Sequence, residues 1–168
     1  MTWVAILMGS EGDWPVMQGA ADTLEALGIV CEVRITSAHR TPRATAEYVA
    51  DAEKRGCQAF ICGAGMAAHL AGAVAALTIK PVIGVPIDSG PLSGFDALLS
   101  TVQMPGGIPV ATVAVGKAGA RNAAYLAAQM LALNDASLSQ RVRADREANA
   151  ARVAEQNARL AQQRGGKS

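Results

Sequence analysis

Aromatic residues are scarce in this 168-residue chain, two each of Trp, Tyr and Phe, and neither sign of charge dominates. With 15 Lys and Arg against 14 Asp and Glu the net charge is +1. No field of that size attracts nucleic acid or an anionic membrane, which excludes both as partners. Cysteine is equally sparse. Cys31, Cys57 and Cys62 are odd in number and lack paired ligand spacing, which excludes a disulfide framework or a zinc cluster. They read as small buried hydrophobes of a reducing cytoplasm. The start, Met1-Thr2-Trp3-Val4, has no basic segment or cleavage-like site, so no secretory signal is expected. Also missing are HExxH, a Walker A loop, a G-x-S-x-G elbow and clustered carboxylates, so no metal or cofactor is expected.

What is present in quantity is alanine, 35 residues of it, within a composition that is 51% hydrophobic and 17% charged. That excludes a disordered chain. Small side chains allow close packing but bury little each, about 0.8 kcal/mol per CH₂. Burial against further copies of the chain is the expected supplement, which makes a homo-oligomer the expectation. From Gly56 to Ile79 no charged residue occurs, a stretch long enough to span a bilayer. Gly63-Ala64-Gly65 and His69 interrupt it, so it reads as a buried strand and a buried helix.

Strand-length apolar runs alternate with helix-like segments along most of the chain. Strands are expected at Val4–Met8, Val30–Thr36, Gln58–Cys62, Pro81–Ile87 and Val110–Val115. Helices are expected at Pro15–Leu27, Arg43–Arg55, Met66–Leu77, Ser93–Val102 and Gly119–Asn134. Five βα units define an α/β protein: a flavodoxin-like three-layer sandwich on a doubly wound, parallel five-stranded sheet. Residues 1–135 are read as the catalytic domain. Residues 136–168 are read as a helical extension, a solvated tail or an arm on a neighbouring subunit, with a frayed Gly-Gly-Lys-Ser end.

Ligands of open α/β sheets collect beyond the carboxyl ends of the strands. Four segments fall there: Gly9-Ser10-Glu11-Gly12-Asp13, Ser37-Ala38-His39-Arg40-Thr41-Pro42, Gly63-Ala64-Gly65-Met66 and Asp88-Ser89-Gly90. Ser10 beside free backbone N–H groups suits a phosphate, although Ser10 and Asp13 also read as turn and cap residues. Arg40 offers a planar, permanent cation, and His39 next to it is a side chain suited to exchange a proton near neutral pH. Gly63–Ala68 also fits G-x-G-x-x-A, with Asp88 about twenty residues on, the pattern of a dinucleotide site. The residues alone point to a cofactor-free enzyme for a small phosphorylated substrate, with the dinucleotide reading as competitor.

Taken together, several segments closely resemble the PurE family of purine biosynthesis, in its 5-(carboxyamino)imidazole ribonucleotide mutase class. They are Met8-Gly9-Ser10-x-x-Asp13-Trp14, Ser37–Pro42, Gly63–Leu70, Leu92-Ser93-Gly94, Val102-Gln103-Met104-Pro105 and Gly116-Lys117-Ala118-Gly119. The resemblance implies a cytoplasmic octamer with sites at subunit junctions and no cofactor. It assigns Ser10 and Arg40 to the phosphate of a nucleotide substrate, Asp13 to the ribose hydroxyls and His39 to acid/base catalysis, with Ser37 among the substrate-binding residues. Gly63, Ala64, Gly65, Met66 and His69 would form the loop over the imidazole. Arg40 and the Gly63–Leu70 loop favour the mutase over the sister class, a carboxylase that uses free CO₂.

Overall fold

A computed structural model describes residues 2–165. Its elements in chain order are β1 (Trp3–Met8), α1 (Trp14–Ala26), β2 (Val30–Ile35), α2 (Pro42–Lys54), β3 (Cys57–Gly65) and α3 (Leu70–Ala75). They continue with β4 (Val82–Ile87), α4 (Phe95–Val102), β5 (Ala111–Thr112), α5 (Lys117–Ala132) and α6 (Ala136–Gly165). The five strands are all parallel in the order β2-β1-β3-β4-β5. This is the flavodoxin-like sandwich expected from the sequence. Gly166, Lys167 and Ser168 of the expected frayed end lie outside the described residues.

Strand periodicity divides the core. Val4, Ile6 and Met8 point to one face, where they join Met17, Leu24 and a row of α5 alanines, Ala120, Ala123, Ala124, Ala127 and Ala128. Trp3, Ala5 and Leu7 point to the other and meet Tyr48, Val49, Leu70 and Val74 of α2 and α3. The alanine row recurs at one face of the helix period, which draws α5 close against the sheet and α1. β1 and β4 are buried along their whole length, as continuous apolar central strands must be. β2 is one of the two edge strands, and its Val30, Val33 and Ile35 stay exposed.

Two local expectations change. The third helix begins at Leu70, not Met66, because β3 runs on to Gly65 and pairs with Ile87 of β4. Strand five is cut to Ala111–Thr112, paired with Ile83 and Gly84 of β4, and beyond it only the separate bonds from Val113 N to Gly84 O and from Gly116 N to Pro86 O continue along that strand. In the C-terminal helix, Leu138 and Val142 are buried against the core, and residues 147–165 are all exposed. Among the described residues no helix is long and apolar enough to cross a membrane.

Candidate active site

The order of strands reverses between β1 and β3, and the loops leaving their carboxyl ends must diverge there, opening a crevice. A cleft of about 440 Å³ lies at that point, lined by residues that follow β1, β2, β3 and β4. Of the residues singled out in the sequence, Ser10, Asp13, Ser37, His39, Arg40, Ala64, Gly65, Met66 and His69 line it. Gly63 does not. It is buried in β3, where an added Cβ would lie 2.3 Å from the Met17 sulfur, so its smallness serves packing of α1 on the sheet.

After β1 the chain makes a short 3-10 turn, Glu11–Asp13, that leads into α1 with Pro15 in its first turn. Asp13 Oδ2 accepts hydrogen bonds from Ser10 N at 2.9 Å and from Ser10 Oγ at 3.2 Å. The turn is thereby closed by its own side chains, and the Ser10 hydroxyl is fixed at the cleft wall. After β2, Thr41 ties Ser37 into a tight loop: Ser37 N donates to Thr41 Oγ1 at 3.0 Å, and Thr41 Oγ1 donates to Ser37 O at 3.1 Å. That loop aims the guanidinium of Arg40 across the cleft. Its Nη2 donates to Gly9 O at 2.8 Å, and its Nε lies 3.4 Å from Ser37 Oγ. An anion between the first two loops would meet the fixed planar cation of Arg40, and the Ser10 hydroxyl could donate to it by turning its proton away from Asp13.

The third loop is a strained connection. Met66 holds φ 54°, and an added Cβ on Gly65 would lie 3.2 Å from Ile87 O and closer still to the Ser89 side chain. Two successive tight bonds, Ala68 N to Met66 O and His69 N to Ala67 O, both 2.9 Å, compress residues 66–69 before α3 starts. Ala68 N also donates to Ser100 Oγ of α4 at 3.1 Å. The outcome is a contact between the two histidines of the chain: His39 Nε2 and His69 Nδ1 are 2.6 Å apart, with the rings edge to face. One nitrogen must donate and the other accept.

The glycines of the G-x-G-x-x-A match lie inside β3 and no helix begins at them, so the backbone donors a dinucleotide pyrophosphate needs are absent from that place. Among the described residues no three His, Cys, Asp or Glu side chains converge as a metal site requires.

Residues 3–152 match the family model of AIR carboxylase. The chain belongs to that family. Similar members include the N5-carboxyaminoimidazole ribonucleotide mutase of Brucella melitensis biotype 1, 56% identical over 90% of this chain and 94% of its own. The protein of that name in Escherichia coli strain K12 is 53% identical over 90% of each chain. Among solved structures, Treponema denticola PurE superposes with a TM-score of 0.85 at 31% identity, covering 95% of this chain and 99% of that one. The AIR carboxylase match thus spans β1 through most of α6 and all four cleft loops, and residues 153–165 lie beyond it. Ser100 escaped the sequence reading. It sits mid-helix far along the chain from His69, with no motif to mark it.

Proposed function

We propose that the chain is an isomerase of purine biosynthesis, an N5-carboxyaminoimidazole ribonucleotide mutase. It moves the carboxylate from the exocyclic nitrogen of the substrate to ring carbon 4. The observation that carries this reading is the likeness at 50–56% identity to relatives of that name, extending through every loop of the cleft. In the cleft, Arg40 with Ser10 and Ser37 would hold the substrate phosphate and Asp13 the ribose hydroxyls. The imidazole would then lie under the Ala64–His69 loop, beside His39.

The chemistry follows from an electron-rich ring and one proton carrier. The bond from nitrogen to carboxylate breaks, CO₂ is released and the nitrogen takes up a proton. Ring carbon 4 attacks the CO₂ and gives up its own proton, so one imidazole at His39 can serve both transfers without net change. A base so placed contributes on the order of 10²–10⁴-fold. Retaining CO₂ under the loop keeps it at high effective concentration next to carbon 4. His69, whose Nδ1 lies 2.6 Å from His39 Nε2, orients that ring toward the substrate.

The assembly is the second part of the proposal. Leu92, Phe95, Leu99 and Val102 leave 60%, 64%, 45% and 46% of their surface exposed along α4 and the turn before it. Such a patch beside the cleft supports a homo-oligomer, and the family resemblance supports an octamer with sites at subunit junctions. Residues 1–135 form the catalytic unit and 136–165 the extension in this reading. The reading also makes the protein cytoplasmic, supported by three unpaired cysteines.

The deciding experiment supplies substrate labelled in the N-carboxylate, in unlabelled bicarbonate. Label retained in the carbon-4 product at early times is expected. Unlabelled product would identify a carboxylase drawing on free CO₂, and the absence of product would refute both. His39→Asn should abolish turnover and leave nucleotide binding measurable by calorimetry.

A further inference from the structure

We propose that Ser100, a residue of α4 that does not line the cleft, is a positioning residue for the reaction. Its hydroxyl holds the 66–69 loop at the height where His69 reaches His39. The inference rests on the mutase reading of the cleft and adds a residue to it.

Ser100 Oγ donates best to Asp96 O at 2.7 Å, one turn back in its own helix, with Ala97 O at 3.3 Å and Met66 O of the loop at 3.4 Å farther off. The oxygen is thereby fixed in direction and presents its lone pairs to the loop, where Ala68 N–H donates to it at 3.1 Å. Ala68 is otherwise bound only to Met66 O, two residues away, in a turn too short to fix a loop by itself. The Ala68 methyl is buried, so backbone and side chain are anchored together. His69 follows directly, and its Nδ1 lies 2.6 Å from His39 Nε2. The neighbouring residues need such an anchor. Met66 sits at φ 54°, unfavourable for an L side chain, and Met66, Ala67 and His69 are all exposed. Without the Ser100 acceptor, the two tight turns, the buried Ala68 methyl and the bond from Ala73 N to His69 O at 2.8 Å would be left to oppose relaxation of Met66 and withdrawal of His69.

Ser100→Ala removes the acceptor at small cost in volume, and Ser100→Thr keeps it. The chain has two histidines, so imidazole N–H resonances are few and assignable by His39→Asn and His69→Asn. In the wild-type protein at low temperature, a downfield imidazole N–H that vanishes in either histidine variant is expected. The same resonance should be lost in Ser100→Ala and retained in Ser100→Thr. With N5-carboxyaminoimidazole ribonucleotide, kcat of Ser100→Ala should fall about tenfold or more, because small misplacement of a catalytic group costs up to about 100-fold. KM should stay within about twofold, because the phosphate loops are untouched. A merely structural role would lower the melting temperature and spare the bridging resonance and the split between kcat and KM. Ser100→Ala with the resonance and kcat of wild type, or equal losses in the alanine and threonine variants, would overturn the proposal. If wild-type protein fails to turn over the substrate, the mutase reading falls, and the resonance alone still decides the role of Ser100.

Discussion

Met66 spends the conformational freedom of its backbone in a left-handed well at φ 54°, which costs an L residue about 1–2 kcal/mol. Glycine escapes that cost, and alanine does not. Chemical denaturation should therefore find Met66→Gly more stable than Met66→Ala by about 1 kcal/mol, reversing the order the two residues take inside a helix. The cysteines provide a second residue-scale expectation. Burial pushes the thiols of Cys57 and Cys62 up from their ordinary value, Cys62 far up. Iodoacetamide at pH 8 should leave both unmodified in the folded protein and label both after denaturation.

At the scale of elements, the first turn of α5 touches the end of the fifth strand region through Gly119. A Cβ there would lie 1.6 Å from Ala114 O, a backbone atom that cannot move alone. Gly119→Ala should cost about 3 kcal/mol, at the upper end of overpacking effects, measured as a shift in urea midpoint. The opposite edge of the sheet is held by charge. Arg55 of the α2 terminus donates to both oxygens of Glu32 on β2, at 2.7 and 3.3 Å, and holds that carboxyl below its usual range. A depressed carboxylate contributes stability above its unfolded value and loses it as pH falls through the folded one. Glu32→Gln should thus melt slightly lower than wild type at pH 7, the difference vanishing as pH falls through the acid range. Because both side chains are partly exposed, salt should shrink the difference as well.

For the whole molecule, the long C-terminal helix divides into two parts. Leu138 and Val142 are buried, Arg141 Nε donates to Leu27 O at 2.8 Å, and Tyr125 donates to Asp145 at 2.8 Å. Residues 150–165 are exposed throughout. Truncation after Asn149 should leave thermal melting of the monomeric unit within about 2 °C of the full chain, whereas Leu138→Ala should cost about 2–3 kcal/mol. The apolar α4 face belongs to the same scale. Replacing Phe95 and Leu99 together by Glu should lower the sedimenting mass of the proposed homo-oligomer, and unchanged mass would remove α4 from its proposed interface.

Fold class, strand number and the cleft loops were legible in the sequence, because period and turn chemistry are local properties. Val4–Met8 is an apolar run of strand length, and nearly every Gly, Ser and His in the first half of the chain falls at a strand's carboxyl end. The end of β3 was not legible. Gly63-Ala64-Gly65 reads as a helix entry, yet pairing with β4 extends the strand to Gly65 and delays α3 to Leu70. The pairing partners that extend this strand, Gly65 and Ile87, lie far apart along the chain, and no local window weighs them. For the same reason Gly63 reads as a loop glycine and packs against Met17, and the contact between His39 and His69 has no trace in their spacing of thirty residues. The sequence by itself determined which residues could do chemistry. Only the tertiary structure decided which of them meet, because strand order and the packing of α4 against the loop set those distances.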